Sequence, residues 1–292
     1  MGVPPHDPIS TFDSCVNAIE NNILRNHYSA NRTNVQQAND AFFAASRIVD
    51  WTKLPRAQRG NPDALIVGEL SKRQLMDLYT KFMVDVTGPS RDIYDALFVA
   101  AGGLCPLCGN LGHVSTLDHY LPKAMFPAYS VHPGNLVPSC RDCNTGKNAT
   151  FGAEAHEQTL HPYFEQAKFF EERWIVASVQ RCNPILVQFE CVPPDHWPAS
   201  DKGRVHSHFT DYNLAYRFSV QAGAEVSRVI DLRTKSLRDL SQQSFREFLY
   251  DHGNSTDFVL NGWSRTMYAT LANSDWFIRT DFEDPNWHLV AA

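Results

Sequence analysis

Apolar residues recur at helical spacing through most of the first hundred positions. Val16, Ile19, Ile23 and Leu24 form one stripe, preceded by Ser10 and Asp13 in a capping-box arrangement. "NVQQANDAFFAASRIVDW" predicts a second helix and "SKRQLMDLYTKFMVDV" a third, separated by the turn-forming "LPRAQRGNP". A fourth stripe, Ile93, Tyr94, Leu97 and Phe98, starts from Ser90 as N-cap and ends in glycines, delivering the chain into Cys105. From Leu104 onward the period shortens. "HVSTLDHY" predicts a strand, "NLVP" a second, and "RDCNTGKNA" the opening of a helix. Further on, "NPILVQFECV" predicts a strand closed by "PPDHWP". Helices are expected again in "TDYNLAYRFSV", "LRTKSLRDLSQQSFREFLYDH" and "NGWSRTMYATLA". The expectation is an α+β protein with a helical region over 1–101, a small ββα module over 102–165, and a mixed, mainly helical region over 166–292.

With 292 residues, 43% of them hydrophobic, the chain can bury a substantial core. No stretch reaches the roughly eighteen apolar residues of a membrane span, and "MGVPPHDPIS" lacks the basic and apolar regions of a signal peptide. A cytoplasmic location with no membrane partner is expected. The formal charge of −6 argues against coating nucleic acid by bulk electrostatics, but leaves open a local grip on a phosphodiester through a metal. The arginines and lysine of 232–250 are interrupted by Asp239 and Glu247, the pattern of a solvated face ahead of a DNA track.

The cysteines change the picture. Of seven, four fall in two C-x2-C pairs, Cys105/Cys108 and Cys140/Cys143, while Cys15, Cys182 and Cys191 are scattered and suit small buried positions. Two such pairs supply the four thiolates of a closed structural zinc site, which leaves no open position for chemistry. The alternatives are unpaired structural cysteines, or a redox pair at Cys105/Cys108; the second pair and the absence of a βαβ context count against redox work.

Zinc leaves Asp118, His119, Asn135, Asn144 and Lys147 unexplained. Hydrolysing a phosphodiester needs a base to take a proton from water, a cation against the developing negative charge, and stabilisation of the leaving oxygen. A neutral imidazole at His119 serves the first need. One carboxylate and one amide oxygen, Asp118 and Asn144, suffice for magnesium or manganese, which keep waters and substrate phosphates in their shell. Asn135 is placed to hold the loop and orient the His119 ring through backbone bonds. Each residue also has a plainer reading: His119 a satisfied histidine beside a structural aspartate, Asn144 a helix cap, Asn135 a turn residue. Lys147 and Arg141 are candidate phosphate contacts, with solvation as their alternative.

"CPLCG … LDHYLPKAMFP … NLVPSCRDCNTGK" resembles the HNH nucleases, the ββα-metal fold with a zinc held by four cysteines. It is similar to bacterial HNH proteins that carry a segment like "LHPYFE" and accompany ATPases in anti-phage defence operons. The resemblance covers about residues 102 to 165 and implies a metal-dependent endonuclease, acting on DNA ahead of RNA. It implies His119 as general base, Asn135 as its orienting residue, and Asp118 with Asn144 as ligands of the catalytic metal. Many members end the motif with His; Asn144 departs from that, which bears on metal preference, since a neutral oxygen suits a hard ion. Two rival readings are a zinc-stapled module that binds nucleic acid or protein without cutting, and a nuclease subunit silent without an ATPase partner.

Overall fold

The structure is a computed structural model that describes residues 1–146, 151–255 and 258–289. The chain divides into two compact units. One holds Met1–Leu107 with Gly112–Glu165, and the other holds the residues from Gln166 onward with the short Cys108–Leu111 segment. The class is α+β: helices dominate, and the strands pair only as antiparallel two-stranded hairpins among the described residues. No helix of the described residues is long and apolar enough to cross a membrane.

The first unit opens with α1 (Pro8–Asn17), α2 (Asn22–Ala30) and α3 (Arg32–Ile48). Asp7, not Ser10, caps α1: its carboxylate accepts the Ser10 amide at 2.8 Å and Pro8 takes the first helical position, where a missing N–H costs nothing. The stripe expected to continue through Ile23 breaks at Ala18–Asn21. Asn21 caps a new helix there, and Ile23 is left on the surface. A two-stranded ribbon, β1 (Leu65–Val67) and β2 (Leu70–Ser71), leads into α4 (Lys72–Tyr79), which starts from a full Ser71/Gln74 capping box. One wide turn of π-helix, Thr80–Val84, follows, and α5 (Pro89–Val99) then runs toward the cysteines. Ser90 is not its cap. Gly88 is, with a backbone φ of 98°, because Pro89 occupies the first helical turn.

α1, α4 and α5 enclose a core of Phe12, Val16, Leu75, Leu78, Tyr79, Met83 and Leu97, and this core also receives Leu117 and Leu136 from the third and fourth strands. β3 (Thr116–His119) and β4 (Leu136–Ser139) pair antiparallel with Leu117 opposite Pro138 and His119 opposite Leu136. α6 (Arg141–Gly146) packs back on β3, completing a ββα arrangement.

The second unit is built around a longer hairpin, β5 (Ile175–Gln180) and β6 (Leu186–Cys191), after the short α7 (Lys168–Glu171). α8 (Ala199–Asp211), α9 (Leu214–Thr234), α10 (Gln242–Gly253), α11 (Trp263–Asn273) and α12 (Asp275–Arg279) complete it. β6 packs on α9 and β5 on α11. The stretch expected as one helix from 232 divides between α9 and α10, with Ser241 capping the latter.

Candidate active site and zinc site

The four paired cysteines converge. The sulfurs of Cys105, Cys108, Cys140 and Cys143 lie within 4.8 Å of one another, and all four residues are buried and free of disulfides. Sulfurs about 3.8 Å apart are what 2.3 Å Zn–S bonds in a tetrahedron demand, so the group fits a structural zinc. The backbone is already shaped for it. The Cys105 amide bonds to the Gly112 carbonyl at 2.8 Å, closing the first knuckle, and Gly109 turns the chain at a φ of 58° that an L side chain resists. Cys140 stands just past the end of β4, and Cys143 faces inward from α6. A metal here fixes the end of the hairpin and the start of the helix together.

Strand alternation separates Asp118 from His119. Leu117 and His119 turn to the buried side of β3, while Thr116 and Asp118 stay half-buried on the other. The His119 ring has a defined orientation: Nε2 lies 2.8 Å from the carbonyl oxygen of Ser130. A carbonyl oxygen only accepts, so in the neutral ring Nε2 carries the proton and Nδ1 keeps the lone pair. Tyr79 forms a wall, its ring meeting the imidazole edge-on with centroids 4.4 Å apart and planes at 74°. The Tyr79 hydroxyl donates to the Leu117 carbonyl at 3.3 Å; burial, with Tyr94 and Asp118 adding to it, pushes that hydroxyl above its usual range, so it stays a donor.

Asn135 is fully buried and clamps two loops. Its Oδ1 accepts from the Leu121 amide at 2.7 Å, and its Nδ2 donates to the carbonyls of Leu121 and Tyr129, each at 3.1 Å. The Tyr120 amide adds a bond to the Asn135 carbonyl at 2.9 Å. The clamp reaches Tyr129, next to the Ser130 whose carbonyl holds His119. Asn135 thus holds the loop that carries Ser130, and its side-chain bonds go to backbone and not to the ring.

Asn144 lies on α6, exposed, its amide bonded to the Cys140 carbonyl at 3.0 Å. α6, which carries Asn144, packs on β3, which carries Asp118. The Asp118 Oδ2 atom is shielded from solvent. Arg141 is exposed at the start of α6, and Lys147 falls outside the described residues. His161 is fully buried against Tyr120, Trp51 and Phe164, at centroid distances of 4.1, 5.4 and 4.7 Å, so it belongs to the packing behind β3. The neighbouring Tyr163 hydroxyl donates to the Leu136 carbonyl at 2.9 Å and braces β4.

Two partners of His119 escaped the sequence reading. Ser130 acts through its backbone, which leaves no trace in residue type. Tyr79, forty positions upstream, sits in a helical stripe where an aromatic signals only core.

The HNH endonuclease family profile matches residues 105–150. Protein ea31 of Escherichia phage lambda is 39% identical over 231 residues, covering 75% of this chain and 78% of that protein. No solved structure matches.

Proposed function

Because this chain belongs to the HNH endonuclease family, we propose that it is a metal-dependent endonuclease that hydrolyses nucleic-acid phosphodiester bonds, DNA ahead of RNA, with His119 as its general base. The observation that carries this is the Nε2 contact to the Ser130 carbonyl, which leaves Nδ1 as the basic nitrogen. A base needs its lone pair fixed in direction before water arrives. The Ser130 carbonyl and the Tyr79 ring hold the imidazole against rotation, and when Nδ1 takes the proton from water, the carbonyl stabilises the imidazolium through Nε2–H.

The shielded Asp118 Oδ2 and the amide oxygen available on Asn144 are hard donors that suit magnesium or manganese, and they would hold the catalytic cation. Bound there, such an ion supplies positive charge against the developing oxyanion. Arg141, and Lys147 outside the described residues, complete the proposal as phosphate contacts. An ATPase partner and a role in anti-phage defence come from motif resemblance. Cleavage by the isolated chain would end the partner requirement, and activity only on adding an ATPase would support it.

The test is purified protein with plasmid, single-stranded DNA and transfer RNA, each with magnesium, manganese or chelator. His119→Ala is expected to keep its zinc and its fold while losing on the order of 10²–10⁴-fold in rate. Equal cutting by that variant would remove His119 as the base. Binding without cleavage under every divalent ion would favour the non-cutting module.

A further inference from the structure

Lys123 occupies an unusual place for a lysine. Its Nζ lies 4.7 Å from the centroid of the Tyr79 ring, and the same ring packs on the His119 imidazole. Cation, phenol and imidazole thus form one contiguous cluster. The hydrogen-bond partner of the ammonium is the Thr80 hydroxyl, at a long 3.4 Å. Among the described residues no carboxylate comes within ion-pair distance of it. The nearby Asp77 pairs instead with Lys81 at 2.8 Å. An ammonium has three donors to satisfy, and a long lysine stem ordinarily lets the head reach water. Here the side chain is half-buried, and burial draws its affinity for a proton below the ordinary lysine value. The backbone beneath it is rigid: Asn135 grips both the N–H and the C=O of Leu121, Pro122 follows, and the Met125 and Phe126 amides both fold back onto the Pro122 carbonyl at 2.8 Å. A cation partly stripped of water, felt by Asp77 only at a distance and mounted beside the proposed base, is arranged to receive an anion in direct contact.

We propose that Lys123 is a substrate-contacting residue, its ammonium meeting a non-bridging oxygen of the scissile phosphodiester. This rests on the nuclease reading above and names a residue that neither the zinc frame nor the base and metal set includes. Tyr79 gives the contact its direction, since its ring touches both the ammonium, at 4.7 Å, and the imidazole, at 4.4 Å. The Lys123 charge would oppose the extra negative charge that builds on the phosphoryl oxygens as His119 takes the proton. Met, of similar length and without charge, removes only the cation; Arg keeps the charge on a different head.

The experiment compares wild type, Lys123→Met and Lys123→Arg for kcat and KM on plasmid. In parallel, equilibrium binding of a short labelled duplex is measured across a salt series in a His119→Ala background, with and without Lys123→Met. Lys123→Met is expected to keep zinc content and near-ultraviolet circular dichroism, to lower kcat on the order of 10–10²-fold, and to reduce the slope of log affinity against log salt by about 0.9, the share of one phosphate. Lys123→Arg is expected to recover most of both. A Lys123→Met protein that cuts at the parental rate with an unchanged slope overturns the proposal while leaving the nuclease reading intact. If wild type cuts nothing, alone or with an added ATPase, the nuclease reading fails and the Lys123 proposal, which rests on it, fails with it.

Discussion

The molecule contains two hairpins of the same topology held by different means. β5–β6 pairs six residues on each strand and alternates in the plain manner, with Ile175, Val187 and Phe189 inward and their neighbours outward. Phe189 meets Phe218 of α9 edge-on at 5.4 Å, and apolar burial suffices to hold the pair together. β3–β4 pairs four residues a side, and β4 is buried along its whole length, with a proline, Pro138, within it. So short a ribbon is marginal by itself. The four grouped cysteines at its end, the Asn135 clamp at its turn and the Tyr163 hydroxyl on its back replace what strand length supplies in the other. Apolar packing tolerates small shifts. A lattice of directional polar contacts does not, and a base aimed at a water needs the second kind of support.

The largest contrast is expected on removing the metal. A closed thiolate site contributes on the order of 10 kcal/mol to the structure around it. Chelation under denaturant-free conditions should strip amide-exchange protection from Thr116–His119 and Leu136–Ser139 while Ile175–Gln180 and Leu186–Cys191 keep theirs. Equal loss in both hairpins, or loss in neither, would show that the cysteines do not bear the load assigned to them.

A matched pair of truncations sharpens the comparison. Phe189→Ala empties a buried aromatic site and is expected to cost about 3–5 kcal/mol. Asn135→Ala removes two donors and one acceptor and leaves the buried N–H and C=O of Leu121 without partners, while the Tyr129 carbonyl keeps the His132 amide at 3.3 Å; at about 1–3 kcal/mol for each orphaned group the cost is comparable. Denaturant midpoints should therefore fall together. Rates should not. Under conditions where both variants are folded, Asn135→Ala should lose about 10–100-fold in kcat, because the loop carrying the Ser130 carbonyl is released, whereas Phe189→Ala should cut at the parental rate. A parental rate in Asn135→Ala would make it a stability residue alone.

The same contrast explains what could be read before the fold was seen. The cysteine cluster was legible, because C-x2-C spacing carries its meaning in residue type. β5 was missed: "IVASVQ" is half polar, and its strand character comes from pairing with β6 and packing on α11. α8 was mostly missed because "ASDKGRVHSHFTD" shows weak periodicity and is held by α9 beside it. Both misplaced caps, at Ser10 and Ser90, have one cause: a proline starts each helix earlier than the serine suggests, so the cap falls just before that proline. The breaks at Ala18–Asn21 and after Thr234 were invisible because apolar residues continue through them in helical register. Position within the site was the least legible element, since Ser130 contributes a carbonyl and Tyr79 a ring face.

The smallest effect concerns acid. His132 is buried in the loop between Tyr129 and Asn135, its Nδ1 accepting from the Gly134 amide at 3.1 Å and its ring on Phe42 at 3.9 Å. Burial pushes its pKa down from 6.5 to about 3. The folded loop therefore holds this imidazole neutral while the unfolded chain protonates it. Stability from this group is complete above the unfolded value, declines as pH falls below about 6.5, and stops declining only near the folded value. At pH 5 the loss is about 2 kcal/mol, the distance of 1.5 units from the unfolded pKa at 1.36 kcal/mol each. His132→Asn retains an acceptor for Gly134 without titrating. It should be less stable than the parent at pH 7, and its denaturant midpoint should fall less than the parent's between pH 7 and pH 5. Parallel pH profiles for the two proteins would mean that His132 is already charged in the fold, and that the loop carrying the Ser130 carbonyl tolerates a cation within it.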